Sequence, residues 1–107
     1  MAKLYNETGQ VAVIVSYGYG AGWSSEARSS EDREELIFDP TLAQMVIDNA
    51  TIEEMKYYAA SRWPNQYLGG IRGLTVEWLD KGTLFIIDQY DGYESISYRD
   101  EIHWRTA

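Results

Sequence analysis

The chain has 107 residues, 45% hydrophobic and 14% aromatic, which suits a single domain over 1–107 with one core and excludes a disordered chain. Cysteine is absent, so a disulfide framework, thiolate metal ligands and a cysteine nucleophile are excluded, and a cytoplasmic, reducing setting is expected. Seventeen acidic residues against nine basic ones give a net charge of −8, a field that repels phosphate backbones and anionic lipid; neither direct nucleic-acid binding nor a membrane is expected.

Residues 1–9 are mixed and polar, a short edge strand or a frayed end, with no apolar h-region of a signal peptide. No apolar run approaches the roughly 20 residues that span a bilayer. Val11-Ala12-Val13-Ile14-Val15 is apolar without alternation. It predicts a first strand over 10–16, buried on both faces and placed centrally in its sheet.

That strand delivers the chain into Ser16-Tyr17-Gly18-Tyr19-Gly20-Ala21-Gly22-Trp23-Ser24-Ser25. Glycines and rings at a strand end suit a binding loop whose amides cradle an anion. They equally suit a bend that lets Trp23 pack over the strand end. The lysine of a Walker loop is missing. The acidic stretch that follows, over 24–35, carries Glu26, Glu31, Asp32, Glu34 and Glu35 with two arginines. It reads as a solvated loop or as a lid over the glycine loop.

Asp39-Pro40 is a helix start, an N-cap acceptor followed by proline at the first position. Leu42, Met45 and Val46 form one stripe of a helix near 40–48, and Asn49 suits its C′ position. Thr51 with Glu54 makes a capping box for a second helix near 52–63, closed by Pro64. A second glycine loop, Leu68-Gly69-Gly70-Ile71-Arg72-Gly73, leads into a period of two. Strands are predicted at 74–79, 83–90 and 93–98, turning at Asp80-Lys81-Gly82 and Asp91-Gly92, with a short fourth near 101–105. The order implies an α+β fold, a helix hairpin packed on one face of a mostly antiparallel four- to five-stranded sheet. Trp78 or Leu74, with Val13 and Val15, is expected to be deeply buried.

Chemistry-bearing residues are few. His103 is the only histidine, and one histidine makes neither a zinc site nor a hydrolytic triad. Asp88, Asp91 and Glu94 gather on one hairpin, where two carboxylates would hold a cation or do acid–base work, or where Asp91 serves the turn and the others face water. Among the arginines at 62, 72 and 99, Arg72 sits in a glycine loop, available to a phosphate or carboxylate or to an ion pair. Nine tyrosines, including Tyr90, Tyr93 and Tyr98, suit an interface, a planar ligand or a small core.

Four segments, Gly20-Ala21-Gly22-Trp23-Ser24, Glu35-Leu36-Ile37-Phe38-Asp39-Pro40, Leu68-Gly69-Gly70 and Tyr90-Asp91-Gly92-Tyr93-Glu94-Ser95-Ile96, resemble in that order a family of short proteins of unassigned activity encoded by tailed bacteriophages. The resemblance covers most of the chain. It departs after Trp23-Ser24, where Ser25 and Glu26 replace a further aromatic residue. It implies a virus-encoded protein acting inside the host cell, and small acidic phage proteins are often inhibitors of host defence.

Three functions follow as expectations. The first is a protein that sequesters a nucleotide-derived small molecule where the two glycine loops meet the tyrosine hairpin. Its ligand-binding residues would be Tyr17, Gly18, Gly20, Gly22, Trp23, Ser24, Gly69, Gly70, Arg72, Tyr90, Asp91 and Glu94, with no cofactor, metal or catalytic residue. Trp23→Ala and Arg72→Ala would then weaken binding and spare the melting temperature. The second is an acidic inhibitor that imitates nucleic acid toward a basic host protein such as a CRISPR or other DNA-binding complex. The third is a hydrolase using the hairpin carboxylates with or without a metal. A homo-oligomer is compatible with each.

Overall fold

The structure, a computed structural model, describes residues 3–17, 22–27, 29–90 and 93–98. The fold is α+β. In chain order come β1 (Val11–Ser16), a 3-10 turn (Ser24–Glu26), α1 (Ser30–Phe38), α2 (Pro40–Ile47), α3 (Ile52–Arg62), a second 3-10 turn (Gly69–Gly73), β2 (Leu74–Leu79), β3 (Phe85–Tyr90) and β4 (Tyr93–Tyr98).

The strands form two antiparallel pairs in place of the single four- to five-stranded sheet expected: β1 with β2, and β3 with β4. The turn at Asp80-Lys81-Gly82 exists, with Gly82 at φ +89° and Thr83 N–H donating to Asp80 C=O, but it does not join paired strands. After it the chain crosses to another layer. There Phe85, Ile87, Ile96 and Tyr98 pack against Val13 and Val15. The opposite face of β1, Ala12 and Ile14, packs on Leu42, Ala43, Met55, Ala59, Trp63 and Ile71. Thus β1 is the middle layer between helices and hairpin, and all six of its residues are buried. Its apolar run comes from this layering; among the described strands it pairs with β2 alone and is not central in a sheet.

The unpaired edge of β1 is managed piecemeal. Ala12 N–H donates to Leu4 C=O, Tyr5 bridges Val11, and Ser16 N–H reaches the Glu94 carboxylate. Beside β1, Leu74, Val76 and Trp78 pack on the helical core but are only half-buried, since among the described residues β2 has no strand beyond it. Leu79 is the deeply buried residue of that strand.

Helix α1 replaces the expected loop or lid. Ser29 caps it, accepting from Asp32 N–H at 3.1 Å, and Glu31 and Asp32 sit in the first turn where the helix dipole favours acids. Its last turn buries Leu36 and Ile37, one in each core. Helix α2 starts on Asp39, whose Oδ2 accepts from Leu42 N–H, and ends on Asn49 at φ 58°. There Ala50 N–H donates to Met45 C=O and Asn49 N–H to Val46 C=O, a Schellman closure. The Thr51–Glu54 capping box opens α3 as expected. The expected strand near 101–105, His103 and Arg99 lie outside the described residues.

Candidate functional site

Among the described residues, Gly22 and Trp23 of the first glycine loop, Gly70 and Gly73 of the second and Glu94 of the hairpin come together at the C-terminal end of β1, packed against one another. Tyr17 N–H donates to Gly73 C=O at 3.0 Å, and Ser16 Oγ donates to Gly70 C=O at 2.9 Å. Gly22, at φ +88°, lays its carbonyl against Gly70 so closely that a Cβ at residue 70 would stand 2.0 Å from the oxygen. Only glycine permits that backbone contact.

The amides beside Gly22 do form an anion nest, and its occupant is the protein's own Glu94. Glu94 Oε2 accepts from Trp23 N–H at 2.8 Å, Ser25 N–H at 2.9 Å and Ser25 Oγ at 2.6 Å, while Oε1 accepts Ser16 N–H at 3.0 Å. Glu94 is fully buried, and among the described residues no cation pairs with it. Gln89, its cross-strand neighbour, donates to Ser25 Oγ. Alternation along the hairpin puts Asp88 on the face opposite Glu94, where Ser97 Oγ donates to it. Asp88 and Glu94 therefore do not converge. No group of three or more histidine, aspartate and glutamate side chains among the described residues is placed to hold a metal ion.

Trp23 is a core residue. It is 0% exposed, its Nε1–H donates to Leu36 C=O at 2.9 Å, and its ring meets Trp63 edge-on. Trp63 meets Tyr58 in the same way, and the Tyr58 hydroxyl donates to Asp39 Oδ2 at 2.7 Å. A line of rings thus runs from the strand end to the cap of α2. Ser24 is buried with its Oγ unpartnered among the described residues. Tyr17 stacks obliquely on Tyr93 and donates to Glu77 at 2.8 Å. Of the remaining candidates, Gly69 lies under the Tyr67 ring, Arg72 is exposed with no ion pair among the described residues, and Tyr90 is exposed. Gly18, Gly20 and Asp91 lie outside the described residues.

The phenols of Tyr17 and Tyr58 are both held above the ordinary tyrosine pKa, first by burial and then by hydrogen bonds to Glu77 and Asp39. Unfolded tyrosine titrates near 10, so above that pH the folded chain binds more protons than the unfolded one. Their contribution to stability is whole below about pH 10 and is lost as pH rises through the folded pKa values. Urea midpoints should fall above pH 10, and the fall should be shallower in the Tyr17→Phe, Tyr58→Phe double variant. An equal slope in the variant would place the alkaline sensitivity elsewhere.

Two open surfaces lie on the helices, away from the glycine loops, while a groove of about 400 Å³ is bordered by Ser24 and Ser25. Met45, Glu53, Glu54, Tyr57, Tyr58 and Ser61 line a groove of about 530 Å³ on α2 and α3. It shares Met45 and Glu54 with a hollow of about 740 Å³ that adds Asp48. No lysine, arginine or histidine lines either. Tyr57 is 80% exposed, one turn from Glu53, and Glu53 makes no hydrogen bond or ion pair among the described residues. This face was missed in the sequence because its members serve two purposes: 53, 57 and 61 share a face outside the buried stripe of α3, and exposed rings look like core rings in a one-dimensional pattern. A second, polar hollow of about 290 Å³ surrounds Arg62, which pairs with Glu35 and lies 4.0 Å from Asp39. Its guanidinium pKa is raised, chiefly by the hydrogen bond to Glu35.

No helix among the described residues is long and apolar enough to cross a membrane. Comparison with protein-family models, with curated proteins and with solved structures finds no match for this chain.

Proposed function

We propose that this protein is an acidic binding protein that occupies a basic surface of a host protein complex, acting inside the host cell as a phage-encoded counter to a defence system. The observation that carries this reading is the α2–α3 face, where the exposed Tyr57 ring and Met45 stand among Glu53, Glu54 and Asp48 with no cation in the lining. A lysine or arginine of a partner would find a ring face and an unpaired carboxylate one helical turn apart. The net charge of −8 would speed encounter with such a partner. The resemblance to phage proteins supports the setting. The competing reading, a nucleotide-derived ligand between the glycine loops, loses support because Trp23, Ser24, Gly70 and Glu94 are buried, with Glu94 bonded to the Trp23 amide and Gly70 against the Gly22 carbonyl.

Immobilised protein should retain a DNA-binding complex from bacterial extract at low salt and release it by roughly 0.5 M salt or in excess duplex DNA, because a phosphate-like contact is screened and competed. Tyr57→Ala with Glu53→Gln should weaken retention about tenfold or more, equivalent to about 1.4 kcal/mol, without moving the melting temperature. Retention indifferent to salt and to DNA would sink the reading. A nucleotide that raises the melting temperature would restore the small-molecule one.

A further inference from the structure

We infer that the groove between α1 and residues 83–87 is a binding site for a small neutral molecule with an apolar body and one hydroxyl or carbonyl group. The inference goes beyond the acidic helical face and concerns another part of the molecule.

Three pieces of chain border this groove of about 400 Å³. The last turn of α1 contributes Ile37 and Phe38, the chain entering β3 contributes residues 84–87, and the first 3-10 turn contributes Ser24 and Ser25. Leu84 and Ile86 are 58% and 51% exposed, so part of the apolar lining faces solvent. One end of the groove decides between a chain segment and a small molecule. Gln89 donates to Ser25 Oγ, which fastens the 3-10 turn against β3. An extended peptide running along β3 would have to displace that turn. A compact molecule beside Ile37 and Leu84 would not, and the volume lies near the lower end for small-molecule pockets.

Charge and burial then set the ligand's chemistry. Among the described residues the lining holds one cation, Arg33, and one anion, Glu34, both exposed. An ion seated on the apolar lining would meet no net charge there and would lose its hydration. Ser24 differs from the other hydroxyls of the lining. It is 0% exposed, and its Oγ has no hydrogen-bond partner among the described residues. Buried hydroxyls are normally paired, because an unpaired one has lost water and gained nothing in return. One hydroxyl or carbonyl oxygen of a ligand would complete the pair, while its hydrocarbon covers Ile37, Leu84 and Ile86. The unpaired hydroxyl thus weakens the free protein and serves the bound one.

The test titrates octan-1-ol into the full isotope-labelled chain and follows amide and methyl resonances. Saturable shifts should appear at Ser24, Ile37 and residues 83–87. Hexan-1-ol, shorter by two methylenes, should bind roughly tenfold more weakly. Octanoate at neutral pH should also bind more weakly than the alcohol. Ser24→Ala should lose about fivefold in affinity, the worth of one hydrogen bond, without a lower melting temperature. Ile86→Gln, at a half-exposed position, should weaken binding and keep the melting temperature. Shifts that do not saturate, or that fall on α2 and α3, would overturn the inference. Tighter binding of octanoate would overturn it too, since the groove would then be an anion site built on Arg33. So would a Ser24→Ala variant that binds like the parent, or that melts below it because the hydroxyl already has a partner. Contacts of residues 99–107 with Leu84 and Ile86 in the free protein, or a concentration-dependent dimer that covers them, would replace the ligand by another occupant. The acidic-face reading stands or falls on salt and DNA, so the two proposals fail separately.

Discussion

Trp23→Ala is expected to lower the unfolding free energy by about 3–5 kcal/mol, the range for removing a large aromatic from a packed core. The indole is wholly buried and joins three parts of the fold. It sits at the end of β1, its ring packs edge-on against Trp63 at the end of α3, and its Nε1–H satisfies a carbonyl in the last turn of α1. Those last-turn carbonyls have no partner within their own helix. Alanine would leave a cavity and strand the Leu36 carbonyl at once. Single domains are stable by only about 5–15 kcal/mol, so the variant should be near its folding threshold in water. Trp23→Phe, which keeps most of the ring and loses the donor, should cost less. Urea unfolding of the three proteins checks this order. A Trp23→Ala midpoint equal to that of the parent would mean that the ring is not in the core in solution. The sequence-based expectation of an unchanged melting temperature is thereby reversed, because an aromatic in a glycine loop served the core and not a ligand.

What could be read from the sequence was what short-range chemistry decides. Asp39-Pro40, Asn49 and the Thr51–Glu54 box mark their helix ends through bonds between residues three to five apart. The alternation of β2 placed Leu74, Val76 and Trp78 together on one face. Helix α1 was hidden because its apolar residues come only in the last turn, after charged side chains that give no stripe. Its signal was the Ser29 cap followed by acids, a helix start that looks like a solvated run. The two-layer placement of β1 was hidden for a different reason. An apolar run without alternation reports burial on both faces and says nothing of whether strands or layers cover them. The approach of the hairpin to the glycine loops was expected from a strand over 83–90 running beside 74–79, a pairing that is not formed. What joins the described parts is one long-range contact, Glu94 with Trp23 and Ser25, which leaves no local signal.

That contact should be the most sensitive polar one in the molecule. Glu94 offers two acceptor oxygens to four donors, three of them backbone amides with no other partner among the described residues. Glu94→Gln preserves shape and removes one acceptor. The amide will turn its oxygen to Trp23 and Ser25, where three donors converge, and its NH2 group will then face the Ser16 N–H. One buried donor is left unsatisfied, at a cost of about 1–3 kcal/mol. Glu94→Ala strands all four donors and opens a cavity, so its loss should exceed that of the glutamine variant, at about 3 kcal/mol or more. Hydrogen exchange separates this account from a general weakening. In Glu94→Gln the amides of Ser16, Trp23 and Ser25 should lose protection first, while Leu42 and Ala59, in the helical core, keep theirs. If instead the two variants melt with the parent, the hairpin is not tied to β1 through Glu94, and the junction of the glycine loops is open to a ligand after all.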